Sequence, residues 1–138
     1  MAESQYDIRP IGWVASPLRD RDSAPKQGDE GAPDAWLVLD PEVRTGMRGL
    51  EVGADVIVIT WFDRARRDVL LVHPRGDVGR PERGVFTTRS PDRPNPIGLH
   101  TARIVAIDGT RLRVRNLEAL DGTPIVDIKS VLGPIGQR

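Results

Sequence analysis

Between Gly84 and Gly98 the chain reads Gly-Val-Phe-Thr-Thr-Arg-Ser-Pro-Asp-Arg-Pro-Asn-Pro-Ile-Gly. Pro91, Pro94 and Pro96 stiffen this loop, because each proline fixes its own φ and pushes its predecessor into extended backbone. A stiff loop loses little entropy when it grips a ligand. Arg89, Ser90, Arg93 and Asn95 supply hydrogen-bond donors and Asp92 an acceptor, a set suited to a polar or anionic molecule. A rigid structural loop with incidental charges would carry the same residues. A second segment, Leu120-Asp121-Gly122-Thr123-Pro124, runs on into Asp127-Ile128-Lys129. Asp-Gly-Thr-Pro alone is a common turn. Asp127 and Lys129, two apart on a predicted strand, face the same side and can pair or share a site. His73, before Pro74, reads as the end of a strand.

The elements that must position these segments are mostly strands. Ile8, Ile11, Trp13 and Val14 form a first strand that stops at Ser16-Pro17. Residues 19–34 are polar and rich in proline and glycine, which predicts a long loop. Ala35–Leu39 is a second strand. Asp40-Pro41-Glu42 has the chemistry of a helix start, and Val43, Met47 and Leu50 give one short helix an apolar face. Gly49 and Gly53 end it. Ala54–Phe62 is the most apolar run and predicts a buried central strand, and Asp68–His73 predicts another. Leu99–Ile107 and Arg111–Asn116 flank Asp108-Gly109, a strong hairpin signal. Asp121-Gly122 turns the chain into a last strand, Pro124–Ile128. Six or seven strands with one helix predict a mostly β fold, a small, partly closed β-barrel with one or two short helices.

At 138 residues the chain has the size of one domain, 1–138, able to bury a core unaided. It has no cysteine, which excludes disulfides, thiolate metal sites and cysteine nucleophiles, and two histidines are too few for the usual zinc arrangements. No metal is expected. No signal-like start or membrane-length apolar run is present, so a cytoplasmic protein with no membrane association is expected. The net charge is zero, but its distribution is uneven. Residues 1–63 carry six Lys/Arg against twelve Asp/Glu, whereas residues 64–115 carry twelve arginines against five acids. A guanidinium fork suits phosphate and carboxylate groups. The alternative is that these charges are neutralised across neighbouring strands. On Arg111, Arg113 and Arg115, alternating with Leu112, Val114 and Leu117, one face is basic and the other apolar.

No Gly-x-Gly-x-x-Gly follows a strand, and no P-loop, HExxH or GxSxG occurs, which disfavours a Rossmann-type enzyme. GVFTTRSPDRPNPIGLH instead resembles the signature of the TsaA-like (TrmO-type) family, which typically reads GVFATRSP, an aromatic, then RPNPIGLS. LDGTPIVDIK is similar to that family's second block. The resemblance covers nearly the whole chain: Ile11-Gly12 through Ser16-Pro17 looks like the first strand, Pro25-Lys26-Gln27 the Pro-x-Gln loop, and Arg48-Gly49-Leu50-Glu51 the turn after the helix.

The resemblance implies a non-Rossmann β-barrel methyltransferase that uses S-adenosylmethionine, usually as a homodimer with the cofactor near the subunit interface. It implies cofactor contacts from Pro25, Lys26 and Gln27, from Asp63 and Arg64, from Arg89 and Leu99, and from Leu120, Asp121, Gly122 and Thr123. Leu99 would wall the adenine, and Arg89 would meet the methionyl carboxylate bidentately. Arg93 and Asn95 are the expected substrate contacts. Asp127, beside Lys129, is the candidate base.

The chain departs from the family pattern at four places. Asp63 stands where histidine is frequent, Asp92 where the signature has an aromatic, His100 where it has serine, and Ser130 where Asp-Ile-Lys is usually followed by proline. The chain is also expected to lack the C-terminal extension of longer members. Characterised tRNA-modifying members methylate N6 of threonylcarbamoyladenosine beside the anticodon, so a tRNA partner is the first expectation. A methyltransferase of small molecules, or a non-catalytic module that binds S-adenosylmethionine, are the alternatives. Losing an aromatic at Asp92 removes a possible base-stacking platform.

Overall fold

A computed structural model of the chain describes residues 4–19 and 33–133. Eight strands are formed: β1 (Gly12–Ala15), β2 (Ala35–Leu39), β3 (Asp55–Trp61), β4 (Leu71–Val72), β5 (Arg83–Gly84), β6 (Ile97–Asp108), β7 (Arg111–Arg115) and β8 (Pro124–Ser130). Six of them close into a barrel in the order β1-β2-β7-β6-β3-β8, every neighbour antiparallel. The expected partly closed barrel is therefore a closed one. Its shortest seam is β1 against β8, where Gly12 faces Ile125 and Trp13 faces Pro124.

Closure follows from alternation. Along β6 the even-numbered residues Gly98, His100, Ala102 and Ile104 are buried, while Leu99, Thr101 and Arg103 face out. Along β7, Leu112 and Val114 are buried between exposed Arg111, Arg113 and Arg115. Val14, Leu37, Val56, Val58 and Ile125 complete an interior of aliphatic side chains, the term that drives folding. Gly109 (φ 60) and Gly122 (φ 82) occupy left-handed positions. That matches the two Asp-Gly turns, since glycine takes this region without a side-chain penalty.

Two expected elements differ in kind. Pro41–Met47 is a 3₁₀ helix. Asp40 caps it by accepting from the Glu42 N–H at 3.0 Å. Val43, Thr45 and Gly46 are weak α-helix formers, so the segment settles for the tighter winding. Val43, Met47 and Leu50 still pack against the core. The expected strand Asp68–His73 shrinks to Leu71–Val72, paired only with Arg83–Gly84. Leu70 and Leu71 stay exposed and give it no buried face. A 3₁₀ turn at Pro74–Gly76 ends it.

Candidate functional site

At one end of the barrel a cleft of about 440 Å³ opens between the turn after β3, the stiff loop, the start of β6 and the segment before β8. Its polar lining comes from Asp63, Arg64, Arg89, Arg93, His100 and Glu118; Phe62, Phe86, Leu99 and Leu120 supply apolar wall. The volume lies within the range of small-molecule sites, roughly 300 to 1,000 Å³.

The stiff loop is held by its own arginine. Arg93 donates from Nε to the Ser90 carbonyl at 2.8 Å, and from Nη2 to the carbonyls of Val85 at 2.7 Å and Thr88 at 2.6 Å. Ahead of it, Val85–Thr87 forms a 3₁₀ turn whose cap Thr88 donates its hydroxyl back to Val85. The same loop is stitched to the segment after β3. The Arg66 N–H donates to Asp92 Oδ1, the Arg93 N–H to the Arg66 carbonyl, and Arg67 to the Pro94 carbonyl and Asn95 Oδ1. Arg66 also forks onto Asp68, with both bonds at 3.1 Å. That hydrogen-bonded guanidinium holds the Asp68 carboxyl below the usual aspartate range, and Asp68 raises Arg66 in return.

Arg64 ties the third side of the cleft. It donates to the Arg19 carbonyl at 2.7 Å and to the Asp121 carbonyl at 3.2 Å. Asp121 in turn accepts from the Ser16 N–H and lies 3.4 Å from Arg19. Gly98 matters for a different reason. A side chain there would run into Phe62 and Thr60, so glycine is what lets the Phe62 ring fold over the cleft floor.

The structure thus brings Asp63, Arg64, Arg89, Arg93, Leu99, Leu120 and Thr123 into one cleft. Asp121 and Gly122 stand in the adjoining turn, where the Gly122 N–H donates to Val14. Asn95 faces a second hollow with Trp61, Arg67 and the chain start. Asp127 and Lys129 lie on β8, outside the cleft, and pair with each other at 3.1 Å. Pro25, Lys26 and Gln27 lie outside the described residues. Among the described residues Asp63 and Arg89 have no hydrogen-bond or ion-pair partner, so both cleft charges are open to a ligand.

Most of the arginine-rich segment is already used. Besides Arg64, Arg66, Arg67 and Arg93, Arg103 forks onto Asp55, Arg80 and Arg113 meet Asp77 and Asp34, and Arg111 stacks on Trp36 at 4.5 Å. At least eight of these arginines thus have internal partners among the described residues.

Two cleft residues went unassigned as site residues in the sequence, His100 and Glu118. His100 is fully buried, and Glu118 keeps 17% of its side chain exposed. Thr60 Oγ1 lies 2.7 Å from His100 Nε2, and His100 Nδ1 meets Glu118 Oε1. The Phe62 ring meets the imidazole edge-on at 5.7 Å. Strand alternation would have found His100: it falls on the inward side of a strand among aliphatic residues, where a polar group needs partners.

With this geometry in hand, residues 13–135 match the family described as the tRNA-methyltransferase O N-terminal domain. The chain belongs to this TrmO N-terminal domain family. An S-adenosyl-L-methionine-binding protein of Archaeoglobus fulgidus is 45% identical over 122 residues, covering 88% of this chain and 86% of that protein. A probable S-adenosyl-L-methionine-binding protein of Methanothermobacter thermautotrophicus is 43% identical, covering 94% and 92%. A crystal structure of TrmO from Pseudomonas aeruginosa superposes with a TM-score of 0.73 at 28% identity, over 94% of this chain and 57% of that one. The chain therefore spans little more than half the length of the TrmO structures it resembles. Among the described residues no helix is long and apolar enough to cross a membrane.

Proposed function

We propose that this chain binds S-adenosylmethionine in the cleft and transfers its methyl group to tRNA, at N6 of threonylcarbamoyladenosine beside the anticodon. One observation carries the reading: Arg89 presents an unpartnered guanidinium at a cleft of cofactor size built from both family segments. The lining fits the group. Leu99, Leu120 and Ala119 offer the apolar wall an adenine needs, Arg89 a fork for a carboxylate, and Asp63 an acceptor for an ammonium or a ribose hydroxyl. The bound cofactor supplies a methyl group already activated by the positive sulfur.

The chain's own residues bind, orient and exclude water. Arg64 and Asp121 hold the Leu120 to Thr123 turn against the cleft, with Gly122 allowing its bend. Arg93 keeps the loop in shape, and Asn95, in the neighbouring hollow, is proposed to contact the acceptor from there. Pro25, Lys26 and Gln27 are proposed as further cofactor contacts. Asp127 and Lys129 pair with each other outside the cleft, so this reading gives them no step in the transfer. The relatives named for S-adenosylmethionine and the structures named TrmO support this reading.

A homodimer is part of the proposal. Trp13 and Ile97 expose about half of their surface on the outer barrel wall, beside Trp61, Pro124 and Val126, the kind of apolar patch that marks an interface. The internal use of so many arginines favours a second reading, methylation of a small molecule, because few guanidinium groups remain for phosphates. The test is transfer of labelled methyl from S-adenosylmethionine to tRNA from a strain lacking its own enzyme. Label in the threonylcarbamoyl nucleoside supports the proposal; none there, with S-adenosylmethionine bound, overturns the tRNA assignment.

A further inference from the structure

We propose that Glu118, held in place by His100 and Thr60, is the proton acceptor of the cleft. The inference rests on the reading of the cleft as a methyl-transfer site. It begins with β6, whose alternation points His100 into the barrel with Ala102 and Ile104. A carboxylate can only accept, so the proton between His100 and Glu118 belongs to imidazole Nδ1. On a neutral imidazole, Nε2 then carries a lone pair that accepts from the Thr60 hydroxyl. The polar atoms of Thr60 and His100 are thereby satisfied inside the barrel, and no buried side-chain polar atom among the described residues lacks a partner.

The chain of bonds ends at the cleft. Glu118 Oε1 is taken by His100, whereas Oε2 has no partner among the described residues, and Glu118 lines the cavity. The backbone puts it there deliberately. Asn116 takes a positive φ (66) after β7, and Leu117 and Ala119 are then buried on either side of Glu118. A purely structural pair would be sealed on both sides. Here a carboxylate is fixed by an imidazole behind it and open in front, the arrangement of an oriented general base.

The chemistry of the acceptor calls for such a group. A nitrogen whose lone pair is spread over an adenine ring and a carbamoyl group is a poor nucleophile until its N–H is removed. The step assigned to Glu118 is that proton transfer: the acceptor N–H bond breaks and an O–H bond forms at Oε2. The electron pair left on nitrogen forms the new bond to the methyl carbon, while the carbon–sulfur pair stays on sulfur as a neutral thioether. Glu118 then gives its proton to water. Glu118 touches the substrate in this account, and His100 and Thr60 are positioning residues.

The experiment compares wild type with Glu118→Gln, Glu118→Asp and His100→Gln in three readouts. They are calorimetric binding of S-adenosylmethionine, the His100 Nδ1–H proton resonance with and without S-adenosylmethionine, and single-turnover methyl transfer to tRNA from a strain lacking its own enzyme. The resonance is expected in wild type, to shift when S-adenosylmethionine is added, and to be lost in Glu118→Gln. Glu118→Gln is expected to bind the cofactor within about 2-fold of wild type and to transfer roughly 10²- to 10⁴-fold more slowly. Glu118→Asp and His100→Gln should fall between, with cofactor affinity kept. A resonance indifferent to S-adenosylmethionine, or wild-type transfer by Glu118→Gln, overturns the assignment. If Glu118→Gln does not fold, wild-type transfer by His100→Gln overturns it instead. Absence of binding heat in wild type overturns the cofactor reading itself and the assignment with it.

Discussion

Arg93 and Val85 are joined across the stiff loop by a 2.7 Å bond from guanidinium Nη2 to the Val85 carbonyl. With the bonds to Ser90 and Thr88, one side chain binds three backbone carbonyls of the loop and of the 3₁₀ turn before it. Arg93→Ala leaves the Ser90 and Thr88 carbonyls without their donor, while the Val85 carbonyl keeps the Thr88 N–H and hydroxyl. The expected cost is about 2 to 4 kcal/mol in urea denaturation. Arg93→Lys should recover only part of it, because an ammonium cannot reach three carbonyls in the plane of a fork.

Gly98 and Phe62 give the second prediction. A methyl group at residue 98 collides with the Phe62 ring just past β3 and with the hydroxyl of Thr60, its partner across the β3–β6 pair. Gly98→Ala should destabilise by about 1 to 3 kcal/mol through overpacking. Phe62→Leu in the same chain should restore part of the loss, read as a rise in Tm of the double variant over Gly98→Ala.

These two positions also show how much was legible in the sequence. Alternation of apolar residues placed the inward and outward faces of β7, and the two Asp-Gly turns sit where their chemistry put them. Both signals are local. The 3₁₀ winding of Pro41–Met47 and the shrinkage of Asp68–His73 depend on whether a segment finds a buried surface, which no short window records. Leu70 and Leu71 have the right residue types for a strand and no face to bury. The cleft shows the same division. Arg89 and Leu120 were found through the family's two segments and Arg64 through the turn after the central strand, whereas Glu118 becomes a site residue only because Asn116 turns the chain and His100 stands behind it. Arg93 was expected to meet substrate, and its bonds to three carbonyls are visible only in three dimensions.

Asp55 and Arg103 predict a dependence on pH. The hydrogen-bonded Arg103 fork holds the Asp55 carboxyl below its ordinary value of 3.8, against a smaller opposing effect of burial. A carboxyl lowered by folding stabilises the native state above its unfolded value, and that contribution is lost as pH falls through the folded one. Asp55→Asn should therefore melt slightly below wild type at neutral pH. The difference should close as the pH drops below 3.8, and should shrink in high salt because the pair is exposed.

The outer barrel wall yields a prediction about assembly. Trp13 stands outward on β1 beside Pro124 of β8. On the proposed homodimer, Trp13→Asp places a charge in the buried patch. Sedimentation equilibrium should then give half the wild-type mass while the circular dichroism spectrum stays unchanged. A wild-type protein that sediments at 15.2 kDa would remove the dimer from the account.

The central claim is that the cleft holds S-adenosylmethionine through Arg89, and calorimetric titration of wild type and Arg89→Ala with that compound tests it most directly. Wild type should bind, and Arg89→Ala should lose about 2 to 4 kcal/mol, roughly 30- to 1,000-fold in affinity, with an unchanged melting temperature because Arg89 has no internal partner to lose. A folded wild type that takes up no S-adenosylmethionine, or an Arg89→Ala variant that binds it as wild type does, would contradict the account.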